Sequence, residues 1–180
     1  MEGVVMARNL APAIELIRAF EGIADGDPST VNLDPYLCPA GVWTIGWGHV
    51  VTDSAGRPLK GAHRAARARA IYDGGITMDE AEALLWDDVR KFVVDLDRLL
   101  GDEGSTLSDN RYCALLSLIY NIGPTQFEQS TLLRYLRRGR WAEVPAQIER
   151  WNIAANKVSD GLRRRRAAEV KLWETEAITA

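Results

Sequence analysis

Few side chains in this 180-residue chain are placed to do chemistry. Glu21 directly follows an apolar run ending in Phe20, and a carboxyl group there can give a proton to a leaving oxygen. Cys38 lies within YLCPAGVWTIGWGH, residues 36–49. As a thiolate it can act as base toward water or as a nucleophile; as a thiol it can only pack and order water. Free thiols ionise at about pH 8.5, so the neutral form dominates at neutral pH. Thr44 adds a hydroxyl able to hold a water, and Asp25, Asp27 and Asp34 are acids in the intervening loop that could fold back as substitutes.

Cys38 and Cys113 are the two cysteines, and neither is in a CxxC spacing; His49 and His63 are far apart. No metal site and no cofactor are expected from that inventory. Cys113 opens the apolar run CALLSLIY and reads as a small core residue.

The net charge is −3, yet residues 131–180 hold 11 Lys and Arg against 6 Asp and Glu, including the run Arg163 to Arg166. A basic face there favours anionic partners. No aromatic residues alternate with those arginines as a nucleic-acid binder would need, so no nucleic acid is expected. With 47% apolar and 26% charged residues, the composition suits one folded, soluble domain. The N-terminal residues lack a signal-type apolar region and no window approaches a membrane span, so no stable membrane anchor is expected, and accumulation in the cytoplasm is.

The elements that must position these groups are legible in outline. Apolar spacing over 9–20 predicts a helix with Asn9 as N-cap and Gly22 as C-terminal cap. IADGDPSTVNLDP reads as loop, and GVWTIGWGHVV as short, twisted antiparallel strands with Trp43 and Trp47 anchoring a core. If Trp43 and Ile45 face one side, Thr44 faces the other. Residues 52–75 contain a short exposed helix, AHRAARARAI, to which no chemistry is assigned. Thr77 and Glu80 form a capping box for the longest helix. Ser108 or Asp109 caps a helix too continuously apolar to lie on a surface, and the break at 121–124 ends it. Helical stretches follow at TLLRYLRR, WAEVPAQIERW and GLRRRRAAEVKLW. One sheet near the N-terminus followed by many helices is α+β.

Four blocks in order carry a resemblance: FEG closing the first helix, YLCPAGVWTIGWGH, ITMDEAEALLWDDV, and LLSLIYNIGPTQFEQSTLLRYLRRG followed by RW and GLRRRRAAE. From about Leu10 to Trp173 the chain resembles the phage-type lysozymes, the endolysins of glycoside hydrolase family 24. The resemblance implies a lysozyme-like α+β fold with a small antiparallel sheet lobe (about 22–75) and a larger helical lobe (about 77–180 plus the first helix), joined by a long helix. It implies one catalytic domain over 1–180 with no separate wall-binding module.

It also implies hydrolysis of the β-1,4 bond between N-acetylmuramic acid and N-acetylglucosamine of bacterial peptidoglycan, with host-cell lysis. The catalytic positions match Glu21, Cys38 and Thr44, where most members have an Asp in place of the cysteine. Sixteen residues separate Glu21 from Cys38 here, against the eight usual in the family. At a helix C-terminus the negative end of the dipole favours the protonated carboxyl that an acid catalyst needs. His49 is similar to a structural histidine paired with an acid of the long helix, here Asp88. Asn121 and Gly123 match a glycan-contacting turn, and one of Arg163 to Arg166 is expected to reach Glu21 while the rest are solvated. A monomer is implied, waiting in the host cytoplasm until a holin-type pore releases it to the periplasm or cell wall. Two alternatives remain open: a lytic transglycosylase giving anhydromuramyl ends, and a catalytically silent peptidoglycan-binding protein.

Overall fold

The computed structural model describes residues 8–154 and 156–175. Residues 1–7, read above as lacking a signal-type region, lie outside it. The described chain forms two compact units, one comprising residues 21–90 and the other the residues before and after that span.

In the unit of residues 21–90, three short strands form an antiparallel sheet in chain order: β1 (Tyr36–Leu37), β2 (Trp43–Ile45) and β3 (His49–Val50). The register pairs Tyr36 with Thr44 and Ile45 with His49. Two glycines permit the β2–β3 turn, Gly46 at φ 59° and Gly48 at φ 82°, both in the left-handed region. Gly46 has a second reason to lack a side chain, because a Cβ there would lie 3.1 Å from that of Ala81. Trp43, Ile45, Val51, Leu59, Ala68, Ile76 and Ala81 form the core, with Trp47 packed partly buried against it. Both tryptophans therefore anchor the sheet, as their spacing predicts. A 3-10 turn (Ala62–Arg64) leads into α2 (Ala65–Ile71), which buries only Ala68; the exposed helix expected in this region is present.

The helix α1 (Ala11–Glu21) ends at Gly22, whose φ of 65° terminates it. Leu10 takes the N-cap position expected of Asn9, its carbonyl accepting from the Ala13 and Ile14 N–H groups, while Asn9, one residue earlier, accepts the Ala11 N–H through its Oδ1 at 3.1 Å. The longest helix is α3 (Met78–Leu100), whose residues belong to both units. Its capping box is complete: the Glu80 carboxylate accepts the Thr77 N–H at 2.8 Å, and Thr77 Oγ1 accepts the Glu80 N–H at 3.2 Å.

The other unit adds α4 (Asp102–Thr106), α5 (Asp109–Ile122), α6 (Pro124–Glu128), α7 (Thr131–Leu136), α8 (Val144–Glu149) and α9 (Asp160–Glu174). Three serines cap three of these helices: Ser108 accepts the Arg111 N–H, Ser130 that of Leu133, and Ser159 that of Leu162. Every residue of α5 from Tyr112 to Ile119 is buried, which explains its unbroken apolar run. Cys113 is fully buried there and its thiol donates to the Asn9 carbonyl. A second, two-stranded sheet of β4 (Ile153–Ala154) and β5 (Lys157–Val158) departs from the single sheet expected. All four of its residues are exposed, so no hydrophobic alternation marks them in the sequence.

Replacing Thr77 with Ala removes one arm of the capping box and should cost about 1 kcal/mol, read as a lower denaturant midpoint with an unchanged m-value. Burial pushes the Cys113 thiol from 9.0 up to about 11. The unfolded thiol ionises before the folded one, so this contribution to stability is intact below about pH 9 and is lost as the pH rises toward 11. Burial also raises the Tyr112 phenol, in the same direction. Denaturation midpoints measured across that window should fall less steeply for Cys113→Ala than for the wild type.

Candidate functional site

The hairpin β1–β2 holds two of the three predicted catalytic residues. Cys38 begins its turn, with the Cys38 N–H donating to Val42 O at 2.9 Å and the Gly41 N–H donating to Cys38 O at 2.8 Å. Gly41, at φ 73°, makes that closure possible. Both backbone groups of Cys38 are thus fixed, while its thiol is free of any disulfide and half-buried. Thr44 sits in the middle of β2, 5% exposed, between two residues of the core. Because strand side chains alternate, its hydroxyl projects from the face opposite Trp43 and Ile45. It donates to Tyr36 O at 3.5 Å, a long and therefore weak contact. Glu21 opens the same unit as the exposed last residue of α1.

The loop acids are engaged in holding the loop itself. Asp25 Oδ1 accepts the N–H groups of both Asp27 and Asp34 at 3.0 Å. Asp27 accepts from Ser29 through both its backbone N–H and its hydroxyl, which lowers the Asp27 pKa. Asp34 Oδ2 accepts from the Thr30 hydroxyl at 2.6 Å. These three carboxylates therefore have structural work within residues 25–34.

His49 is tied to α3: its Nδ1 lies 2.8 Å from Asp88 Oδ2, with both side chains mostly buried. The expected partnership is present, and it joins the start of β3 to the long helix rather than offering a base to substrate.

In the other unit, Asn121 and Gly123 lie at the end of α5. Gly123, at φ 84°, is at once the C-cap of α5 and the residue preceding Pro124 of α6. Asn121 Oδ1 accepts from Arg166 Nη2 at 3.0 Å. The four consecutive arginines divide differently from the expectation that all but one are solvated. Arg163 and Arg164 are exposed, whereas Arg165 and Arg166 are 3% and 1% exposed. The reason is Glu169, fully buried one helical turn further on. Its carboxylate lies 3.3 Å from Arg165 Nε and 3.0 Å from Arg166 Nε, and it accepts from the Ser117 hydroxyl at 2.8 Å. Burial raises the pKa of this carboxyl, and the guanidinium of Arg166, the Ser117 hydroxyl and Arg165 oppose the rise. Glu169 and Ser117 were not singled out in the sequence. The signal for Glu169 was the RRxxE spacing, which stacks i, i+3 and i+4 side chains on one helix face. A cavity of about 610 Å³ opens on this helix, lined in part by Asn152, Arg163, Arg164 and Arg166.

The two thiols should differ in reactivity. Iodoacetamide at about pH 8 should modify the native protein at the half-exposed Cys38 and spare buried Cys113, with both modified only after denaturation. Peptide mapping by mass spectrometry reads the outcome, and rapid native labelling of Cys113 would contradict the packing of α5.

The Phage lysozyme family matches residues 27–169, a span that contains Cys38, Thr44, Asn121 and Gly123 and begins six residues after Glu21. The endolysin of Bacillus phage PZA is 33% identical over 162 residues, which cover 90% of this chain and 53% of the relative, so the chain spans about half that protein's length. Among solved structures, the endolysin from Escherichia coli O157:H7 phage FAHEc1 superposes with a TM-score of 0.70 at 28% identity, covering 94% of each chain. The muramidase domain of SpmX from Asticaccaulis excentricus gives 0.68 at 28% identity, covering 94% of this chain and 100% of the domain. The lysozyme-like fold seen in the sequence is thus the one observed, and the chain belongs to the phage lysozyme family.

Proposed function

We propose that this protein is an endolysin that cleaves the glycan of bacterial peptidoglycan, hydrolysing the β-1,4 bond between N-acetylmuramic acid and N-acetylglucosamine. The observation that carries the reading is the β1–β2 hairpin. Its turn fixes the backbone of Cys38, and its register presents the Thr44 hydroxyl from the face opposite the core, in the unit that opens with Glu21. Family membership and the likeness to a muramidase domain support the choice of bond.

In this reading Glu21 gives its proton to the glycosidic oxygen as the bond to the anomeric carbon breaks. Water adds to that carbon, held by the Thr44 oxygen and by Cys38, whose thiolate fraction can take the water's proton. Asn121 and Gly123 contact the glycan, with Arg166 holding the Asn121 amide in place. The protein acts as a monomer on the wall after release through a holin-type pore. Among the described residues no helix is long and apolar enough to cross a membrane.

The thiol at a position where most of the family carries an acid favours one second reading, a lytic transglycosylase. There a single carboxyl suffices, because the sugar's own hydroxyl attacks and no water needs activating. Mass spectrometry of digested peptidoglycan separates the two: reducing ends mean hydrolysis, anhydromuramyl ends mean transglycosylation. Glu21→Gln should lower lytic activity by at least about 100-fold with an unchanged melting temperature; full lysis by that variant would remove Glu21 as the acid, and a wild type that binds the wall without lysing it would leave only a wall-binding role. Cys38→Asp should keep activity while Cys38→Ser and Cys38→Ala lose it. Full activity in the last two would remove any chemical role for the thiol.

A further inference from the structure

The segment 52–71, to which no chemistry is assigned from its sequence, carries five Lys and Arg residues against one Asp, a net +4 in a chain whose net charge is −3. The structure gathers much of that charge around a cavity of about 330 Å³ lined by Asp53, Arg57, Lys60, His63, Arg64 and Arg67, with the buried Leu59 in its wall. The scaffold beneath is rigid. The Trp43 N–H donates to Leu59 O at 2.9 Å, the Leu59 N–H donates to Val51 O at 2.9 Å, and Trp43 Nε1 donates to Gly61 O at 3.0 Å. The His63 ring covers Gly61 so closely that a Cβ there would meet its Nδ1 at 2.9 Å.

The single acid does not neutralise the pocket. Asp53 accepts the N–H groups of Ala55 and Arg57 and is bridged by the Arg57 guanidinium at 2.9 Å. It is committed to one arginine and to the turn. Among the described residues, Lys60, Arg64 and Arg67 make no ion pair with a carboxylate. Like charges gathered round a concavity repel one another, and an anion that enters relieves that repulsion.

We propose that this pocket binds the phosphate groups of an anionic polyol-phosphate wall polymer. The concave shape suits a discrete phosphate with its attached polyol better than a flat bilayer surface, and no tryptophan, tyrosine or phenylalanine lines the pocket to stack a nucleobase. The polymer would retain the enzyme on the wall through a surface separate from Glu21, Cys38 and Thr44. The proposal rests on the wall-lytic reading only for where such a polymer is met. Binding is measured without turnover, so a protein that binds but does not lyse, or lyses but does not bind, separates the two.

The test uses labelled poly(glycerol phosphate) and fluorescence anisotropy on the full chain. The triple variant Lys60→Gln, Arg64→Gln, Arg67→Gln should weaken binding by about tenfold or more, with a shallower salt dependence. A charge-matched control, Arg134→Gln, Arg138→Gln, Lys157→Gln, should weaken it by less than about threefold. Should the triple variant melt early, NMR of the wild type decides: inorganic phosphate should shift the ring resonances of His63 and leave those of His49 in place. The proposal is overturned by absent polymer binding, by equal loss in both triple variants, by unmoved His63 resonances, or by tighter pocket-dependent binding to phosphatidylglycerol vesicles or a single-stranded oligonucleotide.

Discussion

A carboxylate with no access to water organises the helical unit. Glu169 on α9 is held by two guanidiniums and a serine hydroxyl, with Ser117 on α5 supplying the contact between the two helices. Burying such a group is expensive, and removing one partner of a buried pair characteristically costs 3–5 kcal/mol in proteins because the remaining charge is left without compensation. The arrangement ties α9 to α5 at a specific register instead of by apolar packing alone. Arg165 extends it by donating to the Ser117 carbonyl, and Arg166 by donating to Asn121. The turn at Asn121 and Gly123 therefore inherits its position from an ionic cluster inside the unit.

The sheet unit solves its positioning problem with backbone. Its strands are two or three residues long, too short to be stable by themselves. Glycines at 41, 46 and 48 close the turns in conformations that other residues adopt only at a cost. The Trp43 and Ile45 side chains then lock the sheet to Leu59, Ala68 and Ile76. The His49–Asp88 contact fastens the same sheet to the first half of α3. Thr44 is consequently held from below by a packed core and along the strand by two neighbours in register.

What could be read in the sequence was what depends on nearby residues. The Thr77–Glu80 box, the Ser108 cap and the glycine after Glu21 each need only three or four positions to be recognised, and each was found as expected. The exposure of the helix near residue 65 and the burial of α5 followed from apolar density. The site residues that the family pattern singled out have defined places: Cys38 at the turn, Thr44 within β2, Glu21 at the helix end. The Ser117 partner of Glu169 was not legible, because it lies 52 positions away and nothing in an apolar run marks one serine as a hydrogen-bond donor. Nor was the fate of the arginine run, since a run of four equal charges does not say which two will turn inward. The β4–β5 hairpin escaped because both its strands are exposed and carry no alternation.

Sixteen residues separate Glu21 from Cys38, and their hydrogen bonds show how a protein holds a long connection in place. The Gly26 N–H donates to Asp34 O, and Asp25 bonds the backbone at 27 and 34, so the loop is closed at its base before it reaches β1. Gly26 permits that closure, since a Cβ there would fall 2.1 Å from Pro35 O. Leu33 and Ile76 then exchange backbone hydrogen bonds and seal the return. Contour length and site position are thereby uncoupled. Residues can be gained or lost between Asp27 and Asn32 as on a side branch, while the clamp delivers the chain to Tyr36 at a constant place.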